Sequence, residues 1–269
     1  MGPTRVVPLR RPWLWLSSAA VLALVVALAV SIWQNPHIDH AAIAQYQFAP
    51  AILKGLRLTI ALALLAAVIG TVLGVVLAVM RLSQSPVLRL GSGLYTWLLR
   101  GTPLLVQILI WGNLALLFQH LGPFDTNAVL TPFVASVVAL GLNEAAYMAE
   151  VVRAGILAVD RGQIDASLAL GMSRSLAMRR IILPQAIRVI IPPAANQFVS
   201  LLKATSLVSV IAGGDLLTAA ENISSANLKT IELMLVATFW YLAVTTVTGL
   251  GQYVLERRLA RAGTGMLAP

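Results

Sequence analysis

Residues 58–80 read LTIALALLAAVIGTVLGVVLAVM, a run that contains no charged side chain. A helix that crosses a bilayer needs about 20 mostly apolar residues, so this run is long enough to span a membrane unaided. Five more runs without Asp, Glu, Lys or Arg cover residues 13–38, 101–124, 126–143, 189–202 and 233–255. Two of these runs are short, but 126–143 can extend to residue 152 and 189–202 can extend to residue 212. We therefore predict six transmembrane helices.

Composition supports the same class of protein. The 269-residue chain is 59% apolar and only 11% charged, with a mean hydropathy of +0.86. A soluble domain carries about 25% charged residues, so this composition excludes a soluble enzyme, a disordered chain and a fibrous protein. The net charge is +9, but the arginines are scattered between apolar runs, which argues against nucleic-acid binding. Without cysteine there are no disulfides or thiolate sites. We therefore predict an all-α, polytopic integral membrane helix bundle.

The distribution of basic residues predicts the orientation of the six helices. With the N-terminus inside, 15 of the 19 lysines and arginines fall in the segments 1–12, 81–100, 153–188 and 256–261. Lysine and arginine are retained in the cytoplasm, so both termini are predicted to be cytoplasmic. Arg10 and Arg11 before an apolar run are also typical of a secretory signal, but the run is longer than a signal core, which favours an uncleaved anchor. Either interpretation leaves the other five helices unchanged.

The fifth predicted span combines proline with polar residues. Pro192 and Pro193 remove two backbone donors from this helix, so we expect a kink or a break there. Beyond them, four polar side chains recur at helical spacing on roughly one face: Asn196, Ser200, Lys203 and Ser206. Polar groups at membrane depth are costly unless they face water or a partner. This face therefore either forms hydrogen bonds between helices or lines a path for a solute.

Two further patterns lie inside predicted spans. Gly70 and Gly74 are four residues apart, a spacing that lets a neighbouring helix approach closely and that predicts tight packing. Glu144 and Glu150 lie towards the inner end of the fourth span. Glu150 precedes Arg153 by three residues, so a local ion pair accounts for it. The alternative is that the two glutamates form a proton relay.

The segment 153–188 is the one long stretch between spans that does not read as membrane-embedded. Three residues that interrupt helices divide it: Gly162, Gly171 and Pro184. Apolar residues at four-residue spacing predict a short amphipathic helix over residues 163–170. The negative charges of Asp160 and Asp165 near its start interact favourably with the helix dipole. A second helix is predicted over residues 173–182. Such a helix pair either binds acidic lipid at the membrane surface or docks a cytoplasmic protein.

Spacing within this segment distinguishes the two possibilities. Asp165-Ala166-Ser167 is followed after three residues by Gly171, after nine more by Ile181, and after one more by Leu183-Pro184. The pattern resembles the coupling motif of membrane subunits of ATP-driven importers, with Asp in place of Glu and Ser in place of the second Ala. The resemblance implies that a separate ATPase docks at these residues: Gln163, Asp165, Ala166, Ser167, Gly171, Ile181, Leu183 and Pro184.

Other segments resemble the permease subunits of polar amino-acid ABC transporters, such as the histidine, glutamine, glutamate/aspartate and opine systems. These segments are RGTPLLVQ at 100–107, AAYMAE at 145–150, LPQA at 183–186, PP at 192–193 and KATSL at 203–207. Ala204 departs from the many relatives that have Asp at this point. From the polar face and this resemblance together, the residues predicted to line the translocation path are Gln107, Asn196, Ser200, Lys203, Thr205 and Ser206.

The resemblance also implies a domain organisation. The family core has five spans with an outside N-terminus, so the chain divides into an anchor helix and periplasmic loop over 1–49, a permease domain over 50–260 and a tail over 261–269. The sequence contains no Gly-x-x-x-x-Gly-Lys-Ser/Thr phosphate loop. ATP and magnesium are therefore expected on a partner ATPase, and we expect this chain to be no enzyme and to hold no cofactor or metal of its own.

Partners and location follow from the same resemblance. It implies ATPase subunits, a second permease subunit that makes a homo- or heterodimer, an external solute-binding protein, and a polar amino acid as solute, with no nucleic acid. The location implied is the bilayer of the bacterial cytoplasmic membrane. The runner-up is a proton-coupled secondary transporter that uses Glu144 and Glu150. Such transporters often carry internal repeats, and no clear repeat relates the halves of this sequence.

Overall fold

The structure is a computed structural model that describes residues 12–264. Residues 1–11, with Arg10 and Arg11, and residues 265–269 of the predicted tail lie outside the described residues. The helices are α1 (Pro12–Trp33), α2 (His40–Tyr46), α3 (Pro50–Leu82), α4 (Pro86–Gly101), α5 (Leu104–Gly112), α6 (Thr126–Val129), α7 (Pro132–Leu157), α8 (Arg161–Ala169), α9 (Arg174–Ala177), α10 (Leu183–Ala204), α11 (Leu216–Asn227) and α12 (Thr230–Thr264). The other elements are 3-10 segments at Leu114–Leu116 and Thr205–Ile211, a π-helical turn at Met178–Ile182, and the antiparallel strands β1 (His120–Leu121) and β2 (Phe124–Asp125).

Most of the predicted spans are present. Four helical segments are long and apolar enough to cross a membrane: Pro50–Leu82, Pro132–Leu157, Arg174–Ile211 and Thr230–Leu259. They confirm the second, fourth, fifth and sixth predicted spans, whereas α1 covers the first apolar run only as far as Trp33 and is not among the four. A further candidate exists only as the pair α4 and α5, whose axes differ by 99°. The chain is thus a polytopic helical membrane protein, as predicted.

The third predicted span, over residues 101–124, is wrong as a single helix. Thr102 and Pro103 are extended and separate α4 from α5, and α5 already ends at Gly112. The cause is Pro103, which has no N–H and forces the residue before it out of the helical region. The remainder of the run contains the 3-10 segment Leu114–Leu116, β1 and the start of β2, so the candidate span here is the bent pair α4 and α5, from Pro86 to Gly112.

The sequence predicts a kink or a break at Pro192 and Pro193, and the break is wrong, because α10 continues through both residues. Each proline removes one donor, which leaves the carbonyls four residues earlier without their helical partners. The hydrogen-bond ladder resumes on both sides, and membrane helices accept such local losses. The polar residues after the prolines consequently remain on one continuous helix.

Small residues let α3 and α7 pack closely, as the glycine spacing predicts. A Cβ atom built on Gly70 would lie 2.5 Å from Glu144 Cγ, and one on Gly74 would lie 2.7 Å from Met148 Cβ. No side chain fits in either gap, so two glycines are required for this contact. Beside it lies the main core cluster, which contains Leu62, Ala66, Ile108, Val137, Ala139, Leu140, Leu201 and Val208.

The segment before α3 is tied to the start of α12 at the end of the bundle that is predicted to lie outside. Asp39 Oδ1 accepts the Ala42 N–H at 3.0 Å and caps α2. Lys229 Nζ lies 3.0 Å from Asp39 Oδ2, and Asp39 N–H donates to Glu232 Oε1 at 3.0 Å. The Ala42 hydrogen bond and Lys229 lower the pKa of Asp39. These contacts fix the entry to the first helix of the core.

Candidate functional site

The predicted coupling helix exists as α8. Asp160 caps it, since Asp160 Oδ1 accepts the Gly162 N–H at 2.7 Å. The helix predicted over residues 163–170 begins two residues earlier, at Arg161, so Asp160 is its N-cap and Asp165 lies in the middle of α8 rather than near its start. Asp165 is exposed there and so is free to contact a partner.

Gly171 ends α8 in the left-handed conformation, with φ at +77°. Its N–H donates to the Leu168 carbonyl at 2.9 Å, and the Met172 N–H donates to the Ser167 carbonyl at 3.1 Å. This pair of bonds is the Schellman arrangement, which needs a residue that tolerates positive φ. A Cβ atom on Gly171 would meet nothing within 4 Å in the described chain, so the backbone conformation and not the space around it requires glycine here.

The predicted second helix, over 173–182, is not a separate element. α9, the π-helical turn and α10 form one continuous helical segment. Pro184 falls in the first turn of α10 and donates no hydrogen bond, while the Leu183 N–H reaches back to the Met178 carbonyl. The wider π-helical turn accommodates the missing donor. Pro184 therefore marks a change of helical geometry inside a span rather than a helix start.

The structure divides the predicted coupling residues into two groups. Gln163, Asp165, Ala166 and Gly171 are exposed, whereas Ser167 is buried with its hydroxyl bonded to the Ile164 carbonyl at 2.7 Å. Ile181 and Leu183 are half-buried, and Pro184 is exposed. Below them, Val159, Ile182 and Ala186 form a small buried cluster against which Ile164 packs. The loop thus presents one accessible face on a fixed base.

A polar pocket of about 580 Å³ opens at the break between α4 and α5, against the middle of α7. Its polar lining consists of Arg100, Thr102, Asn143, Glu144, Tyr147, Gln197 and Ser200. Polar and charged side chains within membrane-spanning helices are costly and mark functional positions. Of the residues predicted to line the path, only Ser200 lies in this pocket.

Glu144 is the central charged group of the pocket. It is 4% exposed, its stem fills the gap beside Gly70, and its Oε2 accepts a 3.3 Å hydrogen bond from Gln197 Nε2. Among the side chains that the structure describes, no lysine or arginine lies within ion-pair distance of Glu144. Burying a carboxylate without a cation is costly, so a positively charged partner or protonation of the carboxyl would stabilise Glu144 at this position.

Arg100 supplies the positive charge at the pocket. It is exposed, and its guanidinium carbon lies 5.2 Å from the centre of the Tyr147 ring. This cation–π contact leaves the guanidinium donors available to a carboxylate. The pocket is therefore lined by one group of each charge that can bind an oppositely charged ligand.

The hydroxyl groups among the predicted path residues donate to carbonyls of their own helical segment. Ser200 donates to the Asn196 carbonyl at 3.2 Å and Ser206 to the Lys203 carbonyl at 2.8 Å. Asn196 and Lys203 are exposed on α10, so their face remains open. The other two predicted path residues, Thr205 and Gln107, are buried and do not line the pocket. The Thr205 hydroxyl donates to the Leu202 carbonyl at 2.7 Å.

Glu150 behaves as its local interpretation predicts. Its Oε2 lies 2.7 Å from Arg153 Nη2, an ion pair three residues apart on α7. This ion pair explains the charge of Glu150 without a proton relay, so Glu150 and Glu144 have different roles. The sequence does not predict the pocket, because Arg100 and Tyr147 enter only through the charge distribution and the family resemblance, and Asn143 and Gln197 enter no predicted site. The signal that could have found it is the Gly-Thr-Pro break beside an intramembrane carboxylate.

Comparison with known proteins identifies the family. Residues 70–261 match the family described as binding-protein-dependent transport system inner membrane component. The chain belongs to this family. An arginine transport system permease protein of Corynebacterium glutamicum is 42% identical over 271 residues, which cover 98% of this chain and 86% of the relative. An L-cystine transport system permease protein of Bacillus subtilis is 39% identical, with 81% of this chain and 91% of the relative covered.

Solved structures agree with this family. An amino acid ABC transporter determined with histidines matches with a TM-score of 0.75 and 36% identity, over 82% of this chain and 99% of that chain. The MetNI methionine ABC transporter, in an inward-facing conformation, matches with a TM-score of 0.64 at 15% identity, over 78% of this chain and 96% of that chain, and so shows the fold alone. The chain is thus a multi-pass permease of the ABC importer class, and nothing supports proton coupling.

Proposed function

We propose that this chain forms the translocation path of an ATP-driven importer for a polar amino acid. The observation that carries the proposal is the pocket at the α4–α5 break, where Glu144 and Arg100 supply opposite charges. An amino acid carries an ammonium and a carboxylate group, which suit these two side chains. The curated relatives named above transport arginine and cystine, which are both polar amino acids.

The size and depth of the pocket suit this role. Small-molecule sites usually enclose about 300–1,000 Å³, and this pocket of about 580 Å³ falls within that range. Asn143 and Glu144 lie near the middle of α7, which is long enough to span the membrane, so the predicted position of Glu144 towards the inner end of this span is wrong. A solute held there would be roughly equidistant from the two sides. That position suits a site that opens alternately to each side.

Energy for transport comes, in this proposal, from a partner ATPase that docks on α8. Because the sequence has no phosphate-binding loop, ATP and magnesium would bind to that partner. Gln163, Asp165 and Ala166 present an exposed face of α8, and Asp165 can pair with a basic residue of the ATPase. Movement of α8 with the ATPase would be transmitted through its buried base to α10.

A second permease subunit and an external binding protein complete the proposed assembly. Asn196, Ser200 and Lys203 are exposed on one face of α10, and lipid cannot satisfy such groups. We place this face towards a water-filled path shared with the second subunit. The binding protein would deliver the solute on the outer side, in accordance with the family description.

The proposed location is the bacterial cytoplasmic membrane, with both termini in the cytoplasm. Reporter fusions test this arrangement directly. Arg89 and Arg100 lie within α4, but the other basic residues of the predicted inner segments remain there, so we expect fusions at residues 40 and 125 to behave as outside and a fusion at residue 170 to behave as inside. An outside reporter signal at residue 170 would be incompatible with ATPase docking on α8.

Replacing Glu144 tests the proposed solute site. Gln has nearly the same shape as Glu and keeps the Gln197 contact, but it removes the negative charge. We expect Glu144→Gln to weaken binding of the solute between about tenfold and a hundredfold, because a charge-assisted hydrogen bond is lost. The measurement is binding of radiolabelled arginine, histidine, glutamine and cystine to the permease–ATPase complex in nanodiscs.

Glu150→Gln is the matched control for this prediction. The half-buried ion pair of Glu150 with Arg153 lies outside the pocket lining, so this variant should bind the solute as the wild type does. Equal loss in both variants, together with uptake driven by a proton gradient, would support the secondary transporter instead. Unchanged binding in Glu144→Gln would remove Glu144 from the solute site.

A further inference from the structure

The break between α4 and α5 is held by one buried side-chain amide. Gln107 lies on α5 and is only 6% exposed. Its Nε2 lies 2.8 Å from the Leu99 carbonyl, 3.1 Å from the Thr102 carbonyl and 2.8 Å from Thr102 Oγ1. The Thr102 hydroxyl in turn donates to the Leu98 carbonyl at 2.8 Å. The side chain of Gln107 therefore reaches back across the break and bonds to the end of α4.

These hydrogen bonds pair backbone carbonyls at the end of α4 that have no partner within the helix. The last four carbonyls of a helix have no partner within the helix, and in a membrane no bulk water replaces one. At the end of α4, Leu98 and Leu99 supply two such carbonyls, and Thr102 and Gln107 satisfy them. Without these side chains the 99° angle between α4 and α5 would leave polar backbone groups unpaired.

A second amide attaches the break to α7. Asn143 is 9% exposed, and its Nδ2 donates to both the Leu99 carbonyl and Gln107 Oε1, each at 3.1 Å. The adjacent residue in the chain is Glu144, and Asn143 itself lines the pocket. Gln107 and Asn143 thus connect α4, α5 and α7 at the edge of the pocket. We refer to this pair of residues as the amide clamp.

The clamp controls where the two charged groups of the pocket lie. Arg100 directly follows Leu99, whose carbonyl is bonded by both amides. Glu144 directly follows Asn143 on α7. Fixing Leu99 to Asn143 therefore fixes the backbone that carries Arg100 relative to the backbone that carries Glu144. A site that recognises two opposite charges depends on their separation, so the clamp determines how well both can bind one ligand.

We propose that Gln107 and Asn143 are positioning residues that hold the helix break in the geometry that binds the solute. Gln107 is therefore not a path-lining residue but acts through Leu99 and Thr102. This inference rests on the proposed function, because it assumes that the pocket takes an amino acid. Apart from Asn143 at the edge, the clamp does not contact the solute.

The test replaces each amide with an apolar side chain of similar size, Gln107→Met and Asn143→Leu. We expect each variant to weaken solute binding about tenfold, since the loss of a buried hydrogen bond has an effect of this order. The double variant should bind no more weakly than about the worse single variant, because the two amides act as one unit. Binding is measured on the permease–ATPase complex in nanodiscs, with the amino acid that the wild type binds best among arginine, histidine, glutamine and cystine.

Gln252→Met is the matched control. Gln252 also uses its amide in a hydrogen bond, to Glu256 Oε1 at 2.9 Å on α12, and it lies outside the pocket. The Gln252→Met variant should therefore bind the solute as the wild type does. If Gln107→Met does not assemble, Gln107→Asn keeps an amide but is too short to reach Leu99, and the same tenfold loss is expected.

Several results would overturn the inference. Unchanged affinity in Gln107→Met or Gln107→Asn would show that the break keeps its geometry without the clamp. A loss of assembled complex with unchanged affinity in the remainder would mean that Gln107 only stabilises the fold. Additive losses in the double variant would mean independent roles. Failure of the wild type to bind any of the four amino acids would count against the proposed function instead, so the two failures are distinguishable.

Discussion

Gly171→Val is expected to abolish ATP-driven uptake while the permease still inserts into the membrane. Gly171 has φ at +77°, where a β-branched residue is strongly disfavoured, so α8 would lose its defined end. A side chain at this exposed position would also push the ATPase away, since close-packed interfaces tolerate added volume poorly. The measurement is co-purification of the ATPase together with uptake in liposomes.

Two comparisons separate docking from general damage. Gly122 is also at positive φ, +63°, with open space around it, but it lies between β1 and β2 at the predicted outer side. Gly122→Val introduces the same backbone strain away from α8, so the ATPase should remain bound. Gly171→Asn tolerates the left-handed region, and nearly normal uptake by it would mean that Gly171 only ends the helix. Full ATPase binding and uptake by Gly171→Val would remove α8 from the docking site.

Gly70→Leu is expected to prevent assembly of the helix bundle. A Cβ atom at this position would lie 2.5 Å from Glu144 Cγ and 2.7 Å from Glu144 Cβ, inside van der Waals contact. α3 and α7 would have to separate along their tightest contact, and overpacking of this kind typically costs about 1–3 kcal/mol or more. We expect little permease to be recovered with the ATPase, as measured by size-exclusion chromatography of the detergent-extracted complex.

Gly91→Leu is the control for this experiment. Gly91 lies on an exposed face of α4, and a Cβ atom there would meet nothing within 4 Å. This variant should therefore assemble normally. Normal assembly of Gly70→Leu would show that α3 and α7 do not pack as described, and would also question the position of Glu144.

Local patterns in the sequence predicted most of the helices. The uncharged run at 58–80 and the glycine pair within it correspond to α3 and its contact with α7. Asp160 and Gly171 act at the two ends of α8, and both effects depend only on neighbouring backbone. Features of this kind are set within a few residues, so a sequence pattern can reveal them.

Features that depend on distant contacts could not be predicted in the same way. Hydropathy indicates that residues 101–124 are apolar, but it does not show that Gln107 bonds to Leu99 across a 99° bend. Nor does it place Asn143 against the same carbonyl, forty-four residues away in the chain. The pocket was missed for this reason, since α4, α5, α7 and α10 all contribute to it.

The central claim is that this permease moves a polar amino acid with energy from a separate ATPase. The most direct measurement is uptake of radiolabelled arginine, histidine, glutamine and cystine into liposomes that contain the permease co-purified with its ATPase, with the binding protein outside. The account predicts uptake of at least one of these amino acids that requires ATP on the ATPase side and continues when the proton gradient is collapsed. Uptake that requires the proton gradient and proceeds without the ATPase would contradict it.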